Sequence, residues 1–128
     1  MNVLLEATKP EILSIEQPLT TSFENWGGKI DCRKYGGLCL WVIAGVNNST
    51  GVDLRFLLDP FVQTDIGFVS ADFPDLSLWT TTVPNFFKVF RYPIEGINFL
   101  TIQGKATIVG ASPGKLSLFV TKSPFLMK

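Results

Sequence analysis

Apolar and polar residues alternate with a period of two along several stretches of the chain. Successive side chains of a β-strand point to opposite faces, so a period of two places the apolar residues of such a stretch on one face. The apolar positions are Val52, Leu54, Phe56 and Leu58 in the first stretch and Leu116, Leu118 and Val120 in the second. The pattern predicts two strands, each with one buried face.

A continuous apolar run, residues 38–43, lies between Gly36-Gly37 and the polar cluster 47–51. A short run rich in β-forming residues and bounded by turn residues is typical of a central strand covered on both faces. The polar cluster, Asn-Asn-Ser-Thr-Gly, predicts a hairpin loop that leads into the strand at 52–58.

Further strands are predicted from β-forming residues between turn signals, at 61–68, 86–91, 98–103 and 105–109, and a turn at 111–114 leads into the strand that holds Leu116, at 115–121. Eight prolines and eleven glycines leave little room for helices, and residues 72–79 allow a short helical turn at best. The predicted fold class is all-β: an antiparallel β-sandwich of seven or eight strands, with jelly-roll or immunoglobulin-like connectivity left open.

The first 21 residues differ from the rest. Strand-like pieces at 3–7 and 11–15 are interrupted by Pro10 and Pro18, and no turn would pair them as a hairpin. Two alternatives follow: an extended arm that docks on another subunit, or an edge strand folded onto its own sandwich. Residues 22–128 then form the sandwich domain.

The charge balance argues against two classes of partner. Eleven Lys and Arg residues offset eleven Asp and Glu residues, so no basic surplus exists to neutralise phosphates or anionic lipid head groups. The longest apolar stretch, residues 36–46, is about half the length needed to cross a bilayer as a helix. We therefore expect neither a nucleic acid nor a membrane as a partner.

The start of the chain bears on the state of the cysteines. Residues 1–10 lack a basic segment followed by a long apolar run, so we expect no signal peptide and a protein that stays where it is made. A spacing of seven residues across a turn would let Cys32 and Cys39 form a disulfide. Without export, buried and reduced thiols are the favoured interpretation.

The residue types present exclude several kinds of catalysis. The chain has no histidine, which removes Ser-His-Asp and Cys-His mechanisms, and two cysteines alone cannot close a zinc site. Neighbours Lys122 and Ser123 point to opposite faces of a strand, so they do not form a catalytic pair. Four aspartates in the loop-rich third of the chain match neither a glycosidase pair nor a calcium loop: Asp59, Asp65, Asp72 and Asp75. We expect no enzyme, no metal and no cofactor.

The aromatic residues suggest two kinds of contact. Trp26 and Trp79, beside polar loop residues, are candidates for stacking on a sugar, whereas Trp41 in the most apolar strand is predicted to lie in the core. Aromatic residues on both faces of 86–92, and Phe119 opposite the apolar face of its strand, favour subunit interfaces. The interface candidates are Val3, Leu5, Ile12, Leu13, Phe86, Phe90, Tyr92 and Phe119. A homo-oligomer is predicted.

The stretch Trp26–Val42 resembles a pattern found in small virion proteins of tailed bacteriophages. It holds an aromatic residue, the pair Ile30-Asp31 and a strand with alternating apolar residues after Tyr35-Gly36. Later segments fit the same pattern as the next strand (51–56), a loop (74–79) and two closing hairpin strands (99–103 and 116–120). Such proteins usually have Val or Ser where this chain has Cys32 and Cys39.

The resemblance implies a β-sandwich with a structural role in head decoration, the minor capsid, or the neck and tail, and no catalytic residues. Its partners would be copies of itself and other virion proteins such as the major capsid protein. The chain would be made in the host cytoplasm and end in the virion. The expected function is capsid decoration or a minor capsid role, and the alternative is a carbohydrate- or receptor-binding module of a virion.

Overall fold

The computed structural model describes residues 10–59, 67–111 and 115–124. These residues form nine strands and no helix. The strands are β1 Glu11–Gln17, β2 Glu24–Asn25, β3 Ile30–Asp31, β4 Tyr35–Ala44, β5 Thr50–Asp59, β6 Leu76–Trp79, β7 Phe86–Pro93, β8 Phe99–Ile108 and β9 Leu116–Pro124.

Two antiparallel sheets pack face to face. Sheet I has the order β1-β9-β4-β7, and sheet II has the order β2-β8-β5-β6, with β3 also paired to β8. The antiparallel β-sandwich predicted from the sequence is confirmed. Two strands of only two residues, β2 and β3, raise the number above the predicted seven or eight.

The core lies between the sheets and follows the predicted period of two. In β5 the residues Val52, Leu54 and Phe56 are buried, and in β9 the inward residues Leu116 and Leu118 are buried. The segments predicted at 98–103 and 105–109 form one strand, β8, which runs through Gly104. Most of the strand predicted at 61–68 lies outside the described residues.

The predicted hairpin between β4 and β5 is wrong. The two strands belong to different sheets, so the polar cluster at 47–51 carries the chain across the sandwich. Asn47 stabilises the segment that crosses between the sheets. Its backbone pairs with Val83, and its side-chain oxygen accepts a hydrogen bond of 2.8 Å from the Ser49 N–H. The same residue types serve a tight hairpin and a sheet-crossing turn, so composition did not separate them.

The closing hairpin implied by the phage resemblance is wrong for the same reason. β8 pairs with β5 in sheet II, and β9 pairs with β4 in sheet I. The chain between them also crosses from one sheet to the other. Residues 112–114 of this connection lie outside the described residues.

Strand β1 is an edge strand of its own sandwich and pairs with β9. The side chain of Lys122 in β9 is only 6% exposed and links β1 to the rest of the sandwich. Its Nζ lies 3.2 Å from Glu11 Oε1 and donates a hydrogen bond of 2.9 Å to the Asp31 carbonyl. The same ammonium lies 4.7 Å from the centre of the Tyr35 ring. Of the two alternatives for the first 21 residues, Glu11–Gln17 takes the edge-strand position, and residues 1–9 are outside the described residues.

Candidate assembly interface

The outward side of sheet I carries apolar side chains across all four of its strands. Residues directly opposite each other in neighbouring strands point to the same face of a sheet. One such row runs across the whole sheet, with Ile12, Phe119, Trp41 and Val89 side by side. Ile43 and Phe87 form the next row with Ser117, and Cys39 lies in the row on the other side, between Thr121 and Arg91.

We call this surface the apolar face and define it by Ile12, Cys39, Trp41, Ile43, Phe87, Val89 and Phe119. Three of its members are open to solvent: Ile12 and Phe87 are each 63% exposed and Ile43 is 41% exposed. The Trp41 and Phe87 ring centres are 6.2 Å apart, so the two rings touch. The apolar area is therefore continuous across the strands and not a set of isolated residues.

The outward side of sheet II is polar by contrast. Its cross-strand pairs join Asp53 with Lys105 and Arg55 with Gln103. Arg55 Nε donates to Gln103 Oε1 at 3.1 Å, and the Arg55 guanidinium lies 4.1 Å from the centre of the Phe23 ring. The outward side of sheet II thus carries charged and amide pairs beside Leu57 and Phe99, whereas the centre of the outward side of sheet I is apolar.

The apolar face collects some of the predicted interface residues and not others. Ile12 and Phe119 lie on it, whereas Leu13 packs against the core. Val3 and Leu5 lie outside the described residues.

The interface candidates in β7 face the opposite way from the expectation. Phe86, Phe90 and Tyr92 pack against the core. The Phe86 ring centre is 5.1 Å from that of Trp79, and that of Tyr92 is 4.9 Å from that of Phe56. Burial also raises the pKa of the Tyr92 hydroxyl. The strand does have aromatic residues on both faces, but its exposed one is Phe87.

The expectation for the three tryptophans is also wrong. Trp26 and Trp79, the proposed sugar-stacking residues, are buried, with 0% and 6% exposure. Trp79 Nε1 donates to the Ser49 carbonyl at 2.9 Å, so its polar group is satisfied inside the sandwich. Trp41, predicted to lie in the core, is half-buried on the apolar face. In β4 the inward positions are Leu38, Leu40 and Val42, which leaves residue 41 on the outside.

Sequence reasoning missed the outer members of β4 and β7. The run 38–43 is apolar at every position, so its own pattern does not show which side faces the core. In the structure Leu40, Val42 and Ala44 are buried and share one parity, which leaves Trp41 and Ile43 on the outside.

The two cysteines are unpaired and lie in different environments. Cys32 is buried, and burial raises the pKa of its thiol to about 12. Cys39 is half-buried on the apolar face. The interior thiol is therefore protonated at neutral pH, and the thiolate is the form that reacts.

We expect a thiol-reactive maleimide at pH 8 to label Cys39 in the folded protein at concentrations too low for self-association, and both cysteines after unfolding without reductant. Cys32 is expected to react slowly with the maleimide in the folded protein. Its side chain is buried, and its Sγ–H points to the Ile30 carbonyl at 3.6 Å. Mass spectrometry of the labelled chain gives the count. A chain that takes no label in denaturant would instead contain a Cys32–Cys39 disulfide.

A polar cleft of about 260 Å³ lies on the outward side of sheet II. Lys29 and Asp59 line it and form an ion pair of 3.0 Å, in which the aspartate side chain is 5% exposed. The amide groups of Asn25 and Gln103 also line the cleft and are hydrogen-bonded to each other at 2.8 Å. The cleft offers several hydrogen-bonding groups but none of the tryptophans proposed to stack on a sugar.

No group of three or more His, Cys, Asp or Glu side chains in 10–59, 67–111 and 115–124 is placed to hold a metal ion. Within the same ranges, no helix is long and apolar enough to span a membrane.

Comparison with solved structures shows a shared fold. The crystal structure of the SPBc2 prophage-derived protein YomS matches with a TM-score of 0.50 and 16% sequence identity, over 95% of this chain and 99% of that chain. At this identity the likeness concerns the arrangement of the strands. A scan against protein-family models gives no match, and a search of curated proteins gives none.

Proposed function

We propose that the chain is a phage-related structural protein, a capsid decoration or minor capsid component that works through protein–protein contacts. The observation that carries this proposal is the continuous apolar row across sheet I. Large exposed apolar patches mark protein interaction sites, since leaving them in water is unfavourable. The proposal assigns no catalytic step to any residue.

Two further observations support the proposal. The fold is that of a prophage-derived protein over nearly the full length of both chains. The two outer faces also differ sharply, because sheet II presents charged pairs such as Asp53 and Lys105 where sheet I presents Trp41 and Phe119. A protein that assembles through one side and faces solvent with the other requires this difference.

The proposal is tested by following the chain into particles. Cells that carry the phage genome encoding it would express the tagged wild type, Phe87→Glu or Val46→Glu, and particles would be separated on a density gradient. Val46 is the control because it is 72% exposed and lies in the β4–β5 loop, outside the strands whose residues form the apolar face. We expect the wild type and Val46→Glu in the particle fraction and Phe87→Glu in the soluble fraction.

Two outcomes would count against the proposal. A wild-type chain absent from the particle fraction would mean that it is not a virion component. A Phe87→Glu chain that enters particles as the wild type does would mean that the apolar face is not the contact surface.

The second candidate is a carbohydrate- or receptor-binding module, which the polar cleft on sheet II favours. Its amide, ammonium and carboxylate groups suit a ligand rich in hydroxyl groups. Screening the wild type and Asn25→Ala against a glycan panel tests this candidate. Binding by the wild type that is lost in Asn25→Ala would support it, and a panel without binding would remove it.

A further inference from the structure

We propose that the apolar face is covered by a second copy of this chain, with the two sandwiches packed face to face across a two-fold axis. This inference rests on the proposed function, because it names the partner for the same surface. The geometry also fixes an orientation, in which the strands of the two copies cross at nearly a right angle.

The area of sheet I sets the size of such a contact. Four strands spaced about 4.8 Å apart, with a mean length of about 29 Å, form a surface of roughly 19 Å by 29 Å. Two such surfaces that cross at a right angle overlap over roughly 19 Å by 19 Å, so about 370 Å² of each copy is covered as a flat surface, and side-chain relief adds to it. A total of about 740 Å² before relief belongs to the small interfaces below about 1,200 Å², so we expect a weak dimer.

The composition of the apolar face also suits a copy of itself. Interfaces are enriched in aromatic residues at the centre and depleted of charge there. Trp41 and Phe119 lie on the two central strands, Phe87 lies beside Trp41 on the edge strand β7, and the charged residues Glu16 and Arg91 lie towards the rim. A two-fold contact requires one surface that is complementary to itself, and apolar side chains on all four strands can pack against their own copies.

The rim charges set the orientation. Strands β1 and β7 are the two edges of sheet I and run in opposite directions, so their final residues lie at diagonally opposite corners. Arg91 lies near the end of β7 and has no ion-pair partner among the described residues. Glu16 lies near the end of β1, in a bulge where Ile15 and Glu16 together oppose the outward-facing Ser117.

We place the two-fold axis in the plane of the interface, along the diagonal that joins the other two corners of sheet I. Rotation about this axis brings Arg91 of each copy over Glu16 of the other. The Glu16 carboxylate already lies 3.1 Å from Lys115, but its side chain is 61% exposed and an ionised carboxylate accepts more than one donor. Such an axis makes the strands of the two sheets cross at nearly a right angle, one of the two common ways in which sheets pack. Two equal ion pairs would then flank the apolar centre.

The first test is sedimentation velocity of the full chain from about 1 to about 200 µM, a range suited to a weak dimer with a small interface. We expect the wild type and Val46→Glu to pass from monomer to dimer. Phe87→Glu should stay monomeric, with self-association at least about thirty-fold weaker, because the contact would have to bury a charge in place of the exposed aromatic ring beside Trp41. An unchanged melting temperature would show that this variant is folded. A wild type that stays monomeric throughout would overturn the proposal.

The second test is a charge exchange that addresses the orientation. Arg91→Glu and Glu16→Arg should each weaken the dimer, and the double variant should recover most of the wild-type affinity, because each copy again pairs opposite charges. Both single variants keep the apolar centre, and an unchanged melting temperature would show that each is folded. Single variants without effect, or a double variant weaker than either, would overturn the right-angle geometry.

These outcomes are separable from those of the proposed function. A chain that is monomeric in solution but enters particles through Phe87 would refute the second copy and keep the virion role, with another virion protein as the occupant. A chain that dimerises in solution but never enters particles would refute the virion role and keep the dimer.

Discussion

Replacing Trp26 by alanine is expected to lower the free energy of unfolding by about 3–5 kcal/mol. The indole is fully buried between the sheets, and the Trp26 backbone N–H donates to the Ile102 carbonyl at 2.8 Å, which fixes the residue against β8. Removing the ring leaves a cavity that rigid strands cannot fill by collapsing. Urea denaturation followed by circular dichroism measures the loss.

A second variant at this position separates ring volume from polarity. The indole N–H of Trp26 has no hydrogen-bond partner among the described residues, so it carries a desolvation cost. Trp26→Phe removes that donor and keeps most of the apolar contact, and we expect it to lose less than half of what Trp26→Ala loses. An alanine variant within about 1 kcal/mol of the wild type would contradict the buried position of the ring, since large core truncations cost more.

Adding a single methyl group at Gly104 is expected to cost about 1–3 kcal/mol. A Cβ atom there would overlap the six-membered ring of Trp26, and that ring is enclosed by the core. The matched control is Gly28→Ala, where an added Cβ meets nothing within 4 Å. We expect the control to stay within about 0.5 kcal/mol of the wild type.

The Trp26 and Gly104 substitutions should also be coupled. With the indole removed, the methyl group at 104 has space, so the double variant Trp26→Ala with Gly104→Ala should lose less stability than the two single variants added together. Strict additivity in a double-mutant cycle would contradict the direct contact between the ring and the glycine.

The sequence predicted the strands better than their connections. In β5 and β9 a strict period of two identified the inward residues, because one face of each strand meets the core and the other does not. The loop after β4 was predicted to be a hairpin because Asn, Ser, Thr and Gly favour any tight turn. Whether such a turn stays in one sheet depends on long-range pairing, such as that of Asn47 with Val83, which local residue types do not encode.

The sequence predicted that the chain has an uncovered apolar surface, but it did not predict all of the residues that form this surface. A shortage of charge and aromatic residues on both faces of β7 indicated uncovered apolar surface, and Ile12 and Phe119 lie on the apolar face. Where every position is apolar, as in residues 38–43 and 86–87, the core side is decided by the neighbouring strands. Trp41 and Phe87 therefore lie outside and Phe86 inside, an assignment that required the register of β4 with β9 and β7.

The proposed role of the outward side of sheet I as an assembly surface is open to a direct test. If a phage encodes the chain, as proposed, an electron cryomicroscopy map of the intact particles of that phage provides the test. We expect density for the sandwich with Trp41 and Phe87 covered by another protein chain and the Arg55–Gln103 side turned to solvent. Particles in which the apolar face is open to solvent, or in which the sandwich is absent, would contradict it.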